Sequence, residues 1–133
     1  MAWEVFDEQG RFGVNVSGST PGGGGIMQLT KKGIVAHAGG LQPLATFLGA
    51  IYNFVDTVAT TGDSVMVWPA VANSIQVVIN RGAQDMEVYP YAGDAFWDSV
   101  NNVYLAANTP ILVSAGSSLS IICNATGFWD ITP

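Results

Sequence analysis

The chain has 133 residues, of which 49% are hydrophobic and only 11% charged, with ten acidic and four basic groups giving a net charge of −6. Four cations cannot neutralise a run of phosphates, which excludes direct nucleic-acid binding and disfavours anionic membrane surfaces. A single cysteine, Cys123, and a single histidine, His37, exclude an intrachain disulfide and leave too few ligands for a zinc centre.

This length fits one domain, and such a domain buries roughly two-thirds of its unfolded surface without staples. So little charge leaves apolar surface exposed on a monomer, which predicts an oligomer or a docked subunit. The charge is uneven: residues 1–62 carry −1 and residues 63–133 carry −5. MAWEVFDEQG has no basic leader followed by an apolar run, so no signal peptide is expected. No apolar stretch approaches the roughly 18 residues of a membrane helix. The expected compartment is a reducing cytoplasm, or a particle assembled in it.

Ten of the 16 glycines fall in residues 1–40, and TPGGGG at 20–25 reads as a hinge. Residues 1–30 therefore read as an N-terminal arm, made sticky by Trp3, Val5 and Phe6, with Phe12, Val14 and Val16 alternating like one short strand. A brief strand fits Ile34–Ala38. Leu44, Phe47, Leu48, Ile51 and Val55 have helical spacing, with Pro43 near a first turn, so local pattern favours a helix over 43–50. Residues 51–58 fit either that helix or a strand with Ile51, Asn53, Val55 and Thr57 on one face.

From Ser64 onward the chain reads as short strands separated by Gly, Pro, Asn and Asp at spacings of roughly 8–12 residues, the pattern of an all-β sandwich or barrel. The strands are Ser64–Trp68, ended by Pro69; Ile75–Asn80, with a turn at Asn80-Arg81-Gly82; and Met86–Tyr91, where Pro90 marks an edge or an end. Residues 92–109 read as a long connection bearing Phe96, Trp97 and Tyr104. Ile111–Ser114 turns at Ala115-Gly116 into Leu119–Cys123, and Gly127–Ile131 closes the chain.

No constellation announces chemistry. The GGGG run lacks the following Lys-Ser/Thr of a phosphate loop. His37 lies among small apolar residues without a nucleophile pattern near it, and Cys123 in SLSIIC reads as a small core group. Asp63, Asp94 and Asp98 are candidate carboxylates for acid–base work or calcium, but TTGDS and AGDA are turns that favour Asp for backbone reasons. The glycosylation patterns at Asn15 and Asn124 mean little without a secretory leader. What remains is aromatic: Trp3, Trp68, Trp97, Trp129 and four tyrosines, suited to a core, an interface or a sugar-stacking platform.

An ordered set of marks then stands out: T-V-A-T-x-G-D-S-V at Thr57–Val65, V-I-N-x-G-A at Val78–Ala83 and V-Y-P-x-x-G-D at Val88–Asp94. A-A-N-T at Ala106–Thr109, A-G-S at Ala115–Ser117 and C-x-A-x-G-x-W at Cys123–Trp129 complete it. Residues 50–132 thereby resemble a recurrent small β-domain of tailed-phage virion proteins. The resemblance implies an all-β, jelly-roll-like β-sandwich over 31–133 behind the Gly-rich arm of 1–30, and it favours a strand at 51–58. It implies a homotrimer on the virion, with no catalytic residues; the residue reading above adds the expectation of no metal and no cofactor.

The expected function is a capsid decoration (cement) protein that binds the major capsid protein and stabilises the shell, at the capsid surface after assembly in the host cytoplasm. Trp3, Val5, Phe6 and Phe12 of the arm are the expected capsid-binding residues. The alternative is a fibre or adsorption protein binding host surface glycans, with Trp68, Phe96, Trp97 and Tyr104 as the contact surface.

Overall fold

The computed structural model describes residues 28–132. Among them the strands are β1 (Thr30–Val35), β2 (Thr46–Phe47), β3 (Tyr52–Thr57), β4 (Asp63–Met66), β5 (Ile75–Asn80), β6 (Met86–Tyr89), β7 (Ala95–Asp98), β8 (Val103–Tyr104), β9 (Ile111–Val113), β10 (Ser118–Ala125) and β11 (Phe128–Ile131). They form a seven-stranded sheet, ordered β1-β3-β5-β10-β11-β7-β8, and a four-stranded sheet, ordered β2-β4-β6-β9. The all-β expectation holds.

The chain path has a simple rule in its first half. From β1 to β6 successive strands alternate between the two sheets. Strands two apart therefore run the same way, and β1–β3, β3–β5, β2–β4 and β4–β6 all pair in parallel. Parallel neighbours need a long crossover, and here each crossover is a strand of the opposite sheet instead of a helix. The second half is mainly antiparallel, with β5–β10, β10–β11, β6–β9 and β7–β8, while β11–β7 is parallel. A jelly roll pairs its strands antiparallel. Five of the nine pairings among the described residues are parallel, so the two-sheet architecture stands with a different winding.

Both sheets feed one core. Val55, Val78, Leu119, Ile121, Phe96 and Trp129 come from the larger sheet, and Val65, Met86, Val88 and Val113 from the smaller. Period-two alternation explains the choice: in β10, Leu119, Ile121 and Cys123 are buried while Ser118 and Ile122 are exposed. Leu48, Val58 and Val67 fill the space between the sheets from the connections.

The helix expected over 43–50 is absent. Gln42–Leu44 makes a single 3₁₀ turn, and Thr46–Phe47 is already strand β2. Leu44 and Phe47, which completed the helical spacing, are exposed, so the apolar period came from residues on opposite sides of the backbone. The strand reading of 51–58 is correct. The connection expected over 92–109 contains β7 and β8, and residues 28–30, assigned to the arm, already bond to the domain: Ile51 N–H donates to Gln28 O and Tyr52 N–H to Leu29 O.

Three buried amides fasten the layers. Gln76, in β5, donates from Nε2 to Leu48 O (2.8 Å) and Ala50 O (2.9 Å), and its Oε1 accepts from Trp68 N–H (3.1 Å). Asn53 donates to Ala50 O (2.7 Å), and Asn80 donates to Gln84 O (2.8 Å) and Val113 O (3.0 Å). All three are fully buried, and they reach backbone groups of the connections: Leu48 O, Ala50 O, Trp68 N–H and Gln84 O.

Candidate functional site

Several polar and glycine residues of the ordered marks shape the corners of the fold, while Val65, Val78, Val88, Cys123 and Trp129 of the same marks are buried in strands. Asp63 Oδ2 accepts from Ala59 N–H (3.1 Å) and Thr60 N–H (3.0 Å). Asp94 Oδ2 accepts from Ala70 N–H (2.8 Å), and Asn108 Oδ1 from Gly93 N–H (2.7 Å). Gly82 lies so close to Val58 that a Cβ would stand 2.6 Å from its amide nitrogen. Gly127 turns β10 into β11 at φ +92°, a conformation that favours glycine.

The candidate catalytic groups do not converge. His37 exchanges backbone hydrogen bonds with Ser64, linking the end of β1 to β4. Asp98 accepts from Asn101 Nδ2 (2.7 Å) and Val100 N–H (2.9 Å), and the Asn101 side chain is the main reason its carboxyl lies below the usual range. Burial pushes the Cys123 thiol up, as expected of a core thiol. Among the described residues, no three His, Cys, Asp or Glu side chains form a metal-binding group, and no helix is long and apolar enough to cross a membrane.

The outward face of the seven-stranded sheet is where the sequence leaves something unspent. Strand β5 is inverted: Gln76, Val78 and Asn80 point to the core, while Ile75, Val77 and Ile79 point away. Register sets Tyr52 beside Val77 and Phe54 beside Ile79 on that same outer face. The result is an apolar patch over β3 and β5, bordered by Asp56. Arg81 Nε pairs with Asp56 Oδ1 at 3.1 Å and its guanidinium lies 5.4 Å from the centre of the Phe54 ring. A solvated outer face would alternate to polar residues.

Across β10, whose Ser118 and Ser120 lie beside Ile79 and Val77, the same face becomes aromatic. Trp97 and Tyr104 are paired by register and meet edge to face with centroids 4.9 Å apart, and Tyr104 meets Phe128 at 4.7 Å. Tyr104 OH donates to Asp130 Oδ1 at 2.6 Å. That bond, ahead of burial, raises the phenol to about 12. Trp97, Tyr104, Asp130 and Ile131 line an open cavity of about 380 Å³.

The expected surface residues divide accordingly. Trp97 and Tyr104 come together on the outer face. Phe96 is fully buried in the core, which removes it from any contact surface: adjacent strand residues face opposite ways, so only one of Phe96 and Trp97 can point outward. Trp68 packs partly against the core, and its buried Nε1–H has no acceptor among the described residues. Trp3, Val5, Phe6 and Phe12 lie outside the described residues. Asp130, absent from the sequence reading, is the polar member of the aromatic site; its signal was the register that the alternation of FWDI sets. No protein-family model, curated protein or solved structure matches the chain.

Proposed function

We propose that the chain is a phage virion structural protein that decorates and stabilises the capsid as a homotrimer, with the major capsid protein as its partner. The observation that carries the association is the inverted strand β5, whose outward Ile75, Val77 and Ile79 extend the apolar surface of Tyr52 and Phe54. Burying that patch between copies removes apolar area from water at about 25 cal/mol per Å². The ordered corner residues support the virion reading, since Asp63, Asn80, Gly82 and Asp94 brace the loops of the stretch that carries the resemblance. In this reading the sandwich is a jelly-roll-like variant wound with parallel pairs. The residues before Gln28 form the Gly-hinged arm that grips the shell through Trp3, Val5, Phe6 and Phe12, and three arms on one trimer bind together by effective concentration.

Light scattering on the purified protein tests the association. The expected mass is three times the 13.9 kDa chain. Val77→Lys with Ile79→Lys places two charges in the patch and dissociates the trimer without unfolding it. A monomeric wild-type protein at micromolar concentration refutes the reading, as does a double variant that remains trimeric.

A further inference from the structure

We propose that the outer face of β7, β8 and β11 is a recognition site for a neutral saccharide, with Trp97 and Tyr104 as stacking surfaces and Asp130 as the hydroxyl acceptor. It lies across β10 from the apolar patch and needs no assumption about the place of the chain on a particle.

Three features define the ligand. Trp97, Tyr104 and Phe128 form a continuous row of rings on the outer face, and Phe128 is 41% exposed. Sugar rings present apolar C–H faces that pack on such surfaces, where an aromatic supplies large area at little entropic cost. Next, the carboxylate of Asp130 is held in place. Tyr104 OH binds Oδ1, while Oδ2 has no hydrogen-bond partner among the described residues, and Asp130 lines the cavity. A fixed carboxylate beside a stacking ring is suited to a sugar hydroxyl, because a charged acceptor makes the stronger kind of hydrogen bond. Finally, the cavity of about 380 Å³ lies at the small end of ligand sites.

The same features reject other classes. Asp130 makes the site negative, and residues 63–133 contain a single cation, Arg81, which is engaged with Asp56. An acidic sugar or a phosphate would meet repulsion. A quaternary ammonium needs rings standing around a gap, whereas these rings touch one another at 4.7–4.9 Å and form a row.

The test uses the full chain and ligand-observed NMR with cellobiose, maltose and lactose, and with sialyllactose and choline as the anionic and cationic comparisons. The expected result is saturable binding of at least one neutral disaccharide in the millimolar range, with no binding of choline and weaker binding of sialyllactose. Trp97→Ala abolishes the signal and Asp130→Asn weakens it by roughly tenfold, both with unchanged circular dichroism. If Trp97→Ala does not fold, Tyr104→Phe serves instead: it frees Asp130 and weakens binding while keeping the ring. The proposal is overturned if none of the three neutral disaccharides binds, if binding survives both Asp130→Asn and the aromatic variant unchanged, or if choline binds in preference.

Discussion

Replacing Gln76 by Leu should destabilise the domain far more than a change of one polar side chain in a strand suggests. Gln76 is fully buried and bonds to three backbone groups from two separate connections: Leu48 O, Ala50 O and Trp68 N–H. Ala50 O keeps a second donor in Asn53 Nδ2, so it remains satisfied. Leu48 O and Trp68 N–H are left without the partner that Gln76 provides, and each stranded buried group costs about 1–3 kcal/mol. The apolar gain of leucine offsets part of this, leaving a net loss of about 2–4 kcal/mol. For a domain of this size the thermal midpoint then falls by roughly 10 °C or more. Urea unfolding followed by circular dichroism, at fixed protein concentration so that the proposed association cannot shift the comparison, reads the change as a lower midpoint at unchanged slope. A loss below about 1 kcal/mol would refute the claim that Gln76 ties the connections between the sheets.

Gly82→Ala should cost about 1–3 kcal/mol, because its Cβ would stand 2.6 Å from Val58 N and 2.7 Å from Val58 Cγ2; unfolding midpoints check this. Native Cys123 should resist a thiol reagent at pH 8 and react only in denaturant, since it is buried and its thiol is raised by that burial. Tyr104 should ionise near pH 12, followed by phenolate absorbance, and Asp130→Asn should return it towards 10. Its folded value lies above its unfolded one, so its stabilisation is complete below pH 10 and disappears as pH rises towards 12. Deleting residues 1–25 should leave a folded trimer that no longer attaches to particles, scored by co-sedimentation. Trp3→Ala alone should weaken attachment by roughly 1–3 kcal/mol per arm.

The second half of the fold was legible because Ile75–Asn80 and Leu119–Cys123 alternate and stand between turn residues. The first half was not. Leu44 and Phe47 are apolar yet exposed, and with Leu48 and Val55 they counterfeit a helical period. Parallel pairing was also hidden, because Thr30 and Tyr52, or Asp63 and Met86, meet only after the chain has crossed the other sheet and returned. β7 escaped notice because Ala95 and Phe96 are both buried, which breaks alternation at its start. Trp97 and Tyr104 were recognisable as surface aromatics, whereas Asp130 joins them only through the pairing of β11 with β7. The inversion of β5 was present in IQVVIN, but two amides facing a core contradict the usual pattern and become intelligible only with Leu48, Ala50 and Val113 as their partners.

Electron cryomicroscopy of purified virions that carry this chain tests the central claim most directly. The account predicts regular trimeric density at three-fold positions of the capsid, into which three copies of the two-sheet domain fit with their β5 faces together. Density confined to the tail, or density at the capsid without three-fold arrangement, would contradict it.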